Sequence, residues 1–419
     1  MLDIKFIREN PHLVKQNNDN RGVMVDIDRL LQLDDEKRKI QGQLQQLQAK
    51  RNIKSKIKPS DSEIEEMKQA SGQIKQIENN LIIINDELIQ LLIMIPNLAH
   101  KSVKVSSNEE DNVVMEEVGK TAKFKFKPKD HLELAVKLDL IDMERGAKVA
   151  GAKFYFLKNE LALMEQALVQ YALDIITKMS YMPMMTPDLA KTGIIEKLGY
   201  SPRGESTQVY NIKDSDLSLI GTSEITLGAY HADELLEGLP KRYVAVSHCF
   251  RTEAGTYSKY SKGIFRVHQF TKVEMFAYTK PDESEKIHNE MLAIQKEIFK
   301  GLGIPYRVVD HCTADLGNPS ARTFDLEAWL PGKPNKDEGE GGWAEITSCS
   351  NCTDYQARGL NIKYKTMDGK DYVHTLNGTG IAVPRAIIAI LENYQQADGS
   401  VEVPKALRPY LNNLKVIKR

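Results

Sequence analysis

The sequence predicts an α+β chain in two parts, a long antiparallel α-helical coiled-coil arm followed by a domain built on an antiparallel sheet. Three observations carry this reading. Apolar residues recur at alternating steps of three and four through much of residues 27–98, where aromatics are almost absent. From about Val113 strand-like runs follow one another closely with irregular helices between them, which argues against a βαβ array. No glycine-rich phosphate loop opens a helix after a strand, so a nucleotide site here has to be built from side chains.

Bulk properties narrow the function classes. A chain of 419 residues predicts two or three domains. The formal net charge of −1 excludes a global field for nucleic acid, so any such site is a local patch. Four cysteines make no disulfide framework and fit a reducing compartment. The N-terminal MLDIKFIRENPHLV carries acids and an early proline, unlike a signal or transit peptide. The apolar run 81–95 is interrupted by Asn85, Asp86, Glu87 and Gln90 and cannot span a bilayer. A soluble, cytoplasmic chain with no membrane partner is expected.

In the arm, Ile64, Met67, Ile74, Ile77, Leu81, Ile84, Leu88, Leu91 and Ile95 form one seam, and Leu30, Leu33, Ile40, Leu44 and Leu47 form a shorter one. Between them, residues 52–62 with Pro59, Ser60 and Asp61 read as a turn and a helix N-cap. At about 1.5 Å per residue each helix reaches roughly 45 Å, too long to fold into a compact core, so the arm is expected to project. Lys37, Arg38, Lys39, Lys50, Arg51, Lys54, Lys56 and Lys58 cluster on the first helix and the tip. They suit either a solvated coiled-coil face or a surface that tracks phosphates. Pro96 stops the second helix; residues 1–100 form the N-terminal domain, 101–115 a polar linker and 116–419 the second domain.

In that domain, 162–179 reads as an amphipathic helix, and Pro183 and Pro187 confine 182–187 to an edge or interface segment. Strands are expected at 243–249, 264–270, 273–278, 306–309 and 344–348. The stretch 249–274 holds Arg251, Glu253, Arg266, His268, Lys272 and Glu274 with Phe265 and Phe270 among them. It reads as a hairpin looped at 256–263, with two arginines on paired strands. An anion carrying a flat ring fits such a set, as does the wet face of an ordinary hairpin. Near the C-terminus, glycines flank Thr379, Pro384 pre-sets a helical turn, and a helix is expected at 386–394. Arg385 at a helix start opposes the dipole, and an anion bound there would explain it.

These blocks resemble the seryl-tRNA synthetase family of class II aminoacyl-tRNA synthetases over essentially the whole chain. Class II motif 1 is similar to about 165–187, motif 2 to about 245–274 and motif 3 to about 377–394. Further blocks are Thr222-Ser-Glu224, Thr347-Ser-Cys-Ser-Asn351 and Ile95-Pro-Asn97. The resemblance implies an ATP-dependent serine–tRNA ligase. Arg251 and Arg385 would be catalytic: Arg251 would hold the α-phosphate and the serine carboxylate, and Arg385 would lie against the γ-phosphate. Glu253 would read the adenine amino group, Arg266 the outer phosphates, and Phe270 would stack on adenine. Thr252, Val267, Ile346 and Thr347 would complete the ATP site, and Glu345 and Ser348 would hold Mg²⁺. Thr222, Ser223, Glu224, Glu274, Asn377 and Thr379, with Arg251, would surround L-serine. The arm would grip tRNA-Ser through Lys37, Arg38, Lys50, Arg51 and Lys54, with tRNA-Sec a further candidate. A homodimer is implied.

The chain departs from the common pattern at a polar insertion over 333–342, at Ala344 and Gly359 where arginines are usual, and at Thr379 and Pro384. Ala344 leaves one electrostatic contact near ATP in question. Cys349 and Cys352 have no second pair at ligand spacing, so no zinc is expected. His268 reads as a structural hydrogen-bonder, and Trp329 and Trp343 as packing residues. Two other functions compete: a paralogue loading an amino acid onto a carrier protein, and a non-catalytic coiled-coil regulator. The full arm argues against the first and the intact ATP residues against the second.

Overall fold

Two short helices, α1 (Ile4–Glu9) and α2 (Pro11–Asn20), precede the coiled coil, formed by α3 (Ile27–Lys54) and α4 (Asp61–Met94). This computed structural model describes residues 1–54, 61–200, 208–254, 260–335 and 339–419, and the turn expected at 52–62 lies mostly outside them. Asp3 caps α1 by accepting from Lys5 N at 2.7 Å, and Pro11 opens α2, where its missing N–H costs nothing. The pairing of α3 with α4 is antiparallel: Arg29 meets Glu87 at 2.9 Å and Lys37 donates to Asn85 Oδ1 at 2.7 Å. The seam follows the expected heptads. Ile74, Ile84, Leu88 and Ile95 are buried, and Leu92 is buried where Leu91 was expected.

Residues divide into two units, Met1–Pro96 and Asn97–Arg419. The linker expected at 101–115 is therefore corrected. Its backbone is hydrogen-bonded within the second unit, with Thr313 N donating to Lys104 O at 2.9 Å. Its last residues open strand β1 (Val113–Val118), which pairs antiparallel with 306–310.

Among the described residues eight strands form one sheet. After β1 they are β2 (Met182–Met185), β3 (Lys241–Phe250), β4 (Gln269–Thr279), β5 (Tyr306–Asp310), β6 (Arg322–Asn335), β7 (Gly339–Asn351) and β8 (His374–Ala382), in spatial order β1-β5-β6-β7-β8-β4-β3-β2. Every neighbouring pair is antiparallel except β2 with β3. The proline-bearing β2 lies at the edge as its sequence predicts, with Met182 and Met185 exposed.

The larger core lies against one face of this sheet, and a smaller cluster with Tyr243, Ala245, Phe276, Tyr278, Ile225 and Leu227 covers the other. Helix α5 (Asn159–Ile176), running on as a 3₁₀ turn, is the amphipathic element expected at 162–179. Helix α7 (Ser284–Gly301) and helix α8 (Val383–Asn393) join it there, after the short α6 (Glu224–Ala229). Helix α8 begins three residues earlier than expected and is apolar nearly all round, as befits a helix buried on every side.

Two strand expectations need correction. Residues 264–268 are a turn and bend, and β4 starts only at Gln269. Ile264, Phe265 and Val267 are buried there without a ladder partner, so their apolar character reflects a packed loop. Conversely, the insertion 333–342 mostly extends the β6–β7 hairpin, with Asn335 opposite Gly339; 336–338 lie outside the described residues.

Candidate active site

Alternation along two adjacent strands builds the floor of one cavity. Phe270, Lys272 and Glu274 recur at period two on β4, and Asn377 and Thr379 do so on β8, with Thr379 directly opposite Glu274. Their counterparts on the other face, Thr271, Val273 and Met275, turn to the helices; Thr271 Oγ1 donates to Glu165 Oε1 at 2.5 Å. The cavity encloses about 450 Å³. Its lining includes Thr222, Glu224, Arg251, Glu253, Arg266, Val267, Phe270, Glu274, Glu345, Ile346, Thr347, Ser348, Asn377, Thr379 and Arg385, so most of the residues named from sequence converge.

One end is cationic and aromatic. Arg251 follows β3, and its backbone N donates to His268 O at 3.0 Å. Its guanidinium donates to Gly221 O at 3.2 Å and lies 5.4 Å from the Phe270 ring centroid. The arginines therefore sit in the loop beyond the paired strands, which corrects their expected placement on them. That position frees their forks from the ladder. Glu253 adopts φ +52°, a left-handed conformation that costs a non-glycine residue about 1 kcal/mol, and accepts from Arg266 at 3.4 Å. Arg385 at the start of α8 pairs with Glu345 at 2.7 Å and lies over Phe265 at 4.9 Å. Desolvation within the cavity would raise the Glu345 carboxyl, but Arg385 holds it below the usual range.

Glu345 and Ser348 share a face only because β7 carries a bulge. Thr347 opposes Leu326 while Glu345 opposes Glu327, leaving Ile346 as the extra residue, and 346 and 347 are buried while 345 and 348 are not. A second irregularity at Gly380 lies in β8 beside Thr379. Buried Gln295 of α7 ties both together, its Nε2 donating to Ser348 O and to Thr379 O at 2.9 Å each. Beyond Glu345, His311 contacts Asp325 at 2.9 Å. Burial disfavours its charge, yet Asp325 raises the imidazolium to about 10.

The other end is a smaller, buried polar nest. Glu224 accepts from Tyr200 Oη at 2.6 Å, Gln356 Nε2 at 2.7 Å and Asn377 Nδ2 at 3.0 Å. Glu274 accepts from Thr379 Oγ1 at 3.1 Å and is ion-paired with Lys272. Burial first, then the nearby Glu274, raises the Glu224 carboxyl. Two carboxylates against one lysine leave this nest short of one positive charge, which suits an ammonium-bearing ligand.

Ser223 and Thr252 depart from expectation. Neither lines the cavity; Ser223 is fully buried, and its carbonyl accepts from Leu227 N at 2.8 Å in the first turn of α6. Sequence reasoning missed Tyr200, Gln356, Gln295 and His311, which lie in no motif, and gave Lys272 no role although it stands in the signature stretch. Ala344 is buried opposite Ala328 and does not line the cavity, so the questioned electrostatic contact near ATP is corrected to a packing position. Gly359 is required by crowding: a Cβ there would come 2.2 Å from Lys197 O. His268 hydrogen-bonds Tyr210 and stacks on Phe154 at 5.3 Å, and Trp329 packs edge-on to Trp343 at 5.4 Å.

On the arm, Arg38 pairs with Asp34 at 3.3 Å and Asp35 at 3.1 Å, and Lys39 pairs with Asp35 at 2.6 Å. With Lys37 bonded across the coil, the first part of the basic cluster is engaged, while Lys50 is exposed and Arg51 half-buried. The side chains of Lys54, Lys56 and Lys58 lie outside the described residues. No helix among the described residues is long and apolar enough to cross a membrane.

Comparison with known proteins agrees with both units. Residues 1–99 match the seryl-tRNA synthetase N-terminal domain, and residues 208–394 match the tRNA synthetase class II core domain (G, H, P, S and T). A serine–tRNA ligase of Treponema denticola is 49% identical over 420 residues, covering 98% of each chain. Among solved structures, the seryl-tRNA synthetase of Pyrococcus horikoshii complexed with ATP has a TM-score of 0.87 at 39% identity, over 100% of this chain and 99% of that one. The cytoplasmic serine–tRNA ligase of Naegleria fowleri in complex with AMP has a TM-score of 0.84 at 34% identity, with the same coverage. The chain belongs to the seryl-tRNA synthetase family and is an aminoacyl-tRNA ligase of class II.

Proposed function

We propose that the chain activates L-serine with ATP, giving seryl-adenylate and pyrophosphate, and then transfers serine to the 3′ end of tRNA-Ser. The observation that carries this reading is the two-ended cavity: arginines and Phe270 at one end, an acid-rich nest at the other. The related enzymes crystallised with ATP and AMP support the nucleotide assignment.

Activation is an in-line attack of the serine carboxylate on the α-phosphorus, and pyrophosphate leaves with the bonding electrons. Two anions repel along this path, so positioning and positive charge supply the catalysis and no protein nucleophile is needed. Arg251 lies against the α-phosphate and the carboxylate. Arg266 and Arg385 hold the outer phosphates, Glu253 accepts from the adenine amino group and Phe270 stacks on the ring. Hard oxygens facing the phosphate end fit Mg²⁺: Glu345, 41% exposed, and Ser348 would hold the ion, which when bound neutralises phosphate charge. Glu224 and Glu274 accept from the serine ammonium. The hydroxyl meets Glu274 and Thr379, and burying those partners rejects alanine by roughly 10⁴. In the second step the terminal ribose hydroxyl of tRNA attacks the seryl carbonyl and AMP departs.

The exposed methionines of edge strand β2 support a homodimer joined along that edge, and four free, buried cysteines suit the cytoplasm. The coiled coil is proposed to grip the tRNA through backbone contacts. Serine-dependent ATP–pyrophosphate exchange tests the assignment. Arg251→Ala should nearly abolish it, and undiminished exchange would overturn the catalytic roles. Deleting residues 36–90 should spare exchange and cripple charging; near-normal charging would remove the arm from RNA binding.

A further inference from the structure

Residues 120–129, KTAKFKFKPK, leave β1 as a strap that belongs to no helix or strand and bends at 125–126. Its side chains alternate. Lys123, Lys125, Lys127 and Lys129 are exposed, while Phe124, Phe126 and Pro128 are half-buried, with the two phenylalanine rings 4.9 Å apart. Lys120 is exposed as well. The alternation sets these ammonium groups toward solvent although the chain bends at 125–126, and Pro128 denies the strap a continuous ladder.

Among the described residues none of these five lysines is ion-paired. Basic residues close by are engaged: Lys262 with Asp130, Lys296 with Glu116, Arg307 with Glu327. The strap thus concentrates lysines that are in no ion pair on a chain whose net charge is only −1.

Its two ends locate it. At the start, Gly119 packs on Pro305, where a Cβ would come 3.1 Å from Pro305 Cα. A surface hollow of about 570 Å³ opens there, lined by Glu117, Lys120, Thr121, Lys123 and Trp343. At the other end, Lys129 N donates to Gln395 Oε1 at 2.8 Å and Lys129 O accepts from Gln395 Nε2 at 2.9 Å. Asp130 then meets Lys262, and His131 lies so near Gly263 that a Cβ there would come 2.2 Å from its Nε2, immediately before the loop residues 264–267 that line the catalytic cavity. The lysine row therefore runs from the β6–β7 hairpin to the lip of that cavity.

We infer that this strap is a track for the phosphate backbone of the RNA strand whose 3′ end enters the cavity. The inference rests on the proposed function, which requires a polyanion to reach this lip. Unpaired, solvated ammonium groups in a row gain affinity by releasing counterions from phosphates. The half-buried phenylalanines and the clamp at Lys129 keep the row in place.

The test replaces Lys123, Lys125, Lys127 and Lys129 together by alanine in the full chain. The KM for tRNA-Ser in charging should rise tenfold or more, and the slope of log KM against log[salt] should fall by roughly 0.7–0.9 for each phosphate that is no longer neutralised. Serine-dependent ATP–pyrophosphate exchange should stay within twofold, and the matching fourfold lysine-to-arginine variant should charge normally. An unchanged KM and salt slope would overturn the inference, leaving the lysines to solvent or to an acidic protein partner. Exchange falling in parallel with charging would overturn it too, by giving the strap a purely structural role. Failure of the underlying function would look different, since the unaltered chain would then show no serine-dependent exchange.

Discussion

Lys272 Nζ donates to Thr222 Oγ1 at 2.8 Å while it is ion-paired with Glu274 two residues along the same strand. This buried ammonium is the only cation touching either group among the described residues, and it also reaches Thr379 Oγ1 at 3.5 Å. Removing one partner of a buried ion pair strands the other, at about 3–5 kcal/mol. Lys272→Met should therefore lower the melting temperature and raise the serine KM in pyrophosphate exchange by a hundredfold or more. Lys272→Arg keeps the charge and should lose less. A serine KM within twofold of normal in Lys272→Met would show that Glu274 does not depend on this lysine.

Glu224 is raised by burial and by Glu274, and so takes up a proton at a higher pH than an ordinary carboxyl. Protonation removes the acceptor proposed for the serine ammonium. The serine KM should rise as the pH is lowered, while the KM for ATP, proposed to bind at the other end, changes less. Glu224→Gln should raise the serine KM at every pH and remove that trend. If the trend persists in the variant, another group controls it.

Gln295 never touches the cavity, yet its amide holds the two carbonyls beside the irregular turns of β7 and β8. Gln295→Leu loses both bonds and deprives the two carbonyls of this donor, costing about 1 kcal/mol for each bond. The expected signature is a joint rise in serine KM and in the Mg²⁺ concentration needed for half-maximal exchange, because Thr379 and Ser348 shift together. A lower melting temperature with neither kinetic change would confine Gln295 to a packing role.

His288 is buried against Phe324 with its ring centroid 4.8 Å away, and its Nε2 donates to Cys349 O at 3.0 Å. Desolvation outweighs the effect of that carbonyl and lowers the imidazole to about 4, against about 6.5 in the unfolded chain. The unfolded state then binds more protons between these values. The contribution is complete above about pH 6.5 and is lost as the pH falls toward about 4, at up to roughly 1.4 kcal/mol per unit. Urea unfolding across this window should show the slope, and His288→Phe should flatten it. An equal slope in the variant would assign acid sensitivity elsewhere.

The strand over 273–278 was legible because its run of apolar and aromatic residues suits a pleated sheet. The same reasoning failed at 264–268, where a buried loop and a buried strand look alike in one dimension. Ser223 and Thr252 stood inside signature blocks and still missed the cavity wall, since adjacent residues point in different directions.

By itself the sequence determined the coiled-coil seam, the exclusion of a proline-bearing segment from the sheet interior and most of the charged side chains that line one cavity. These depend on local periodicity and residue chemistry. Only the tertiary structure decided that the arginines leave the ladder, that a bulge brings Glu345 and Ser348 to one face, that Ala344 is core, and that Tyr200 and Gln356 complete the nest around Glu224. Those facts come from register and from contacts between residues far apart in the chain, where a single inserted residue reverses which face a side chain occupies.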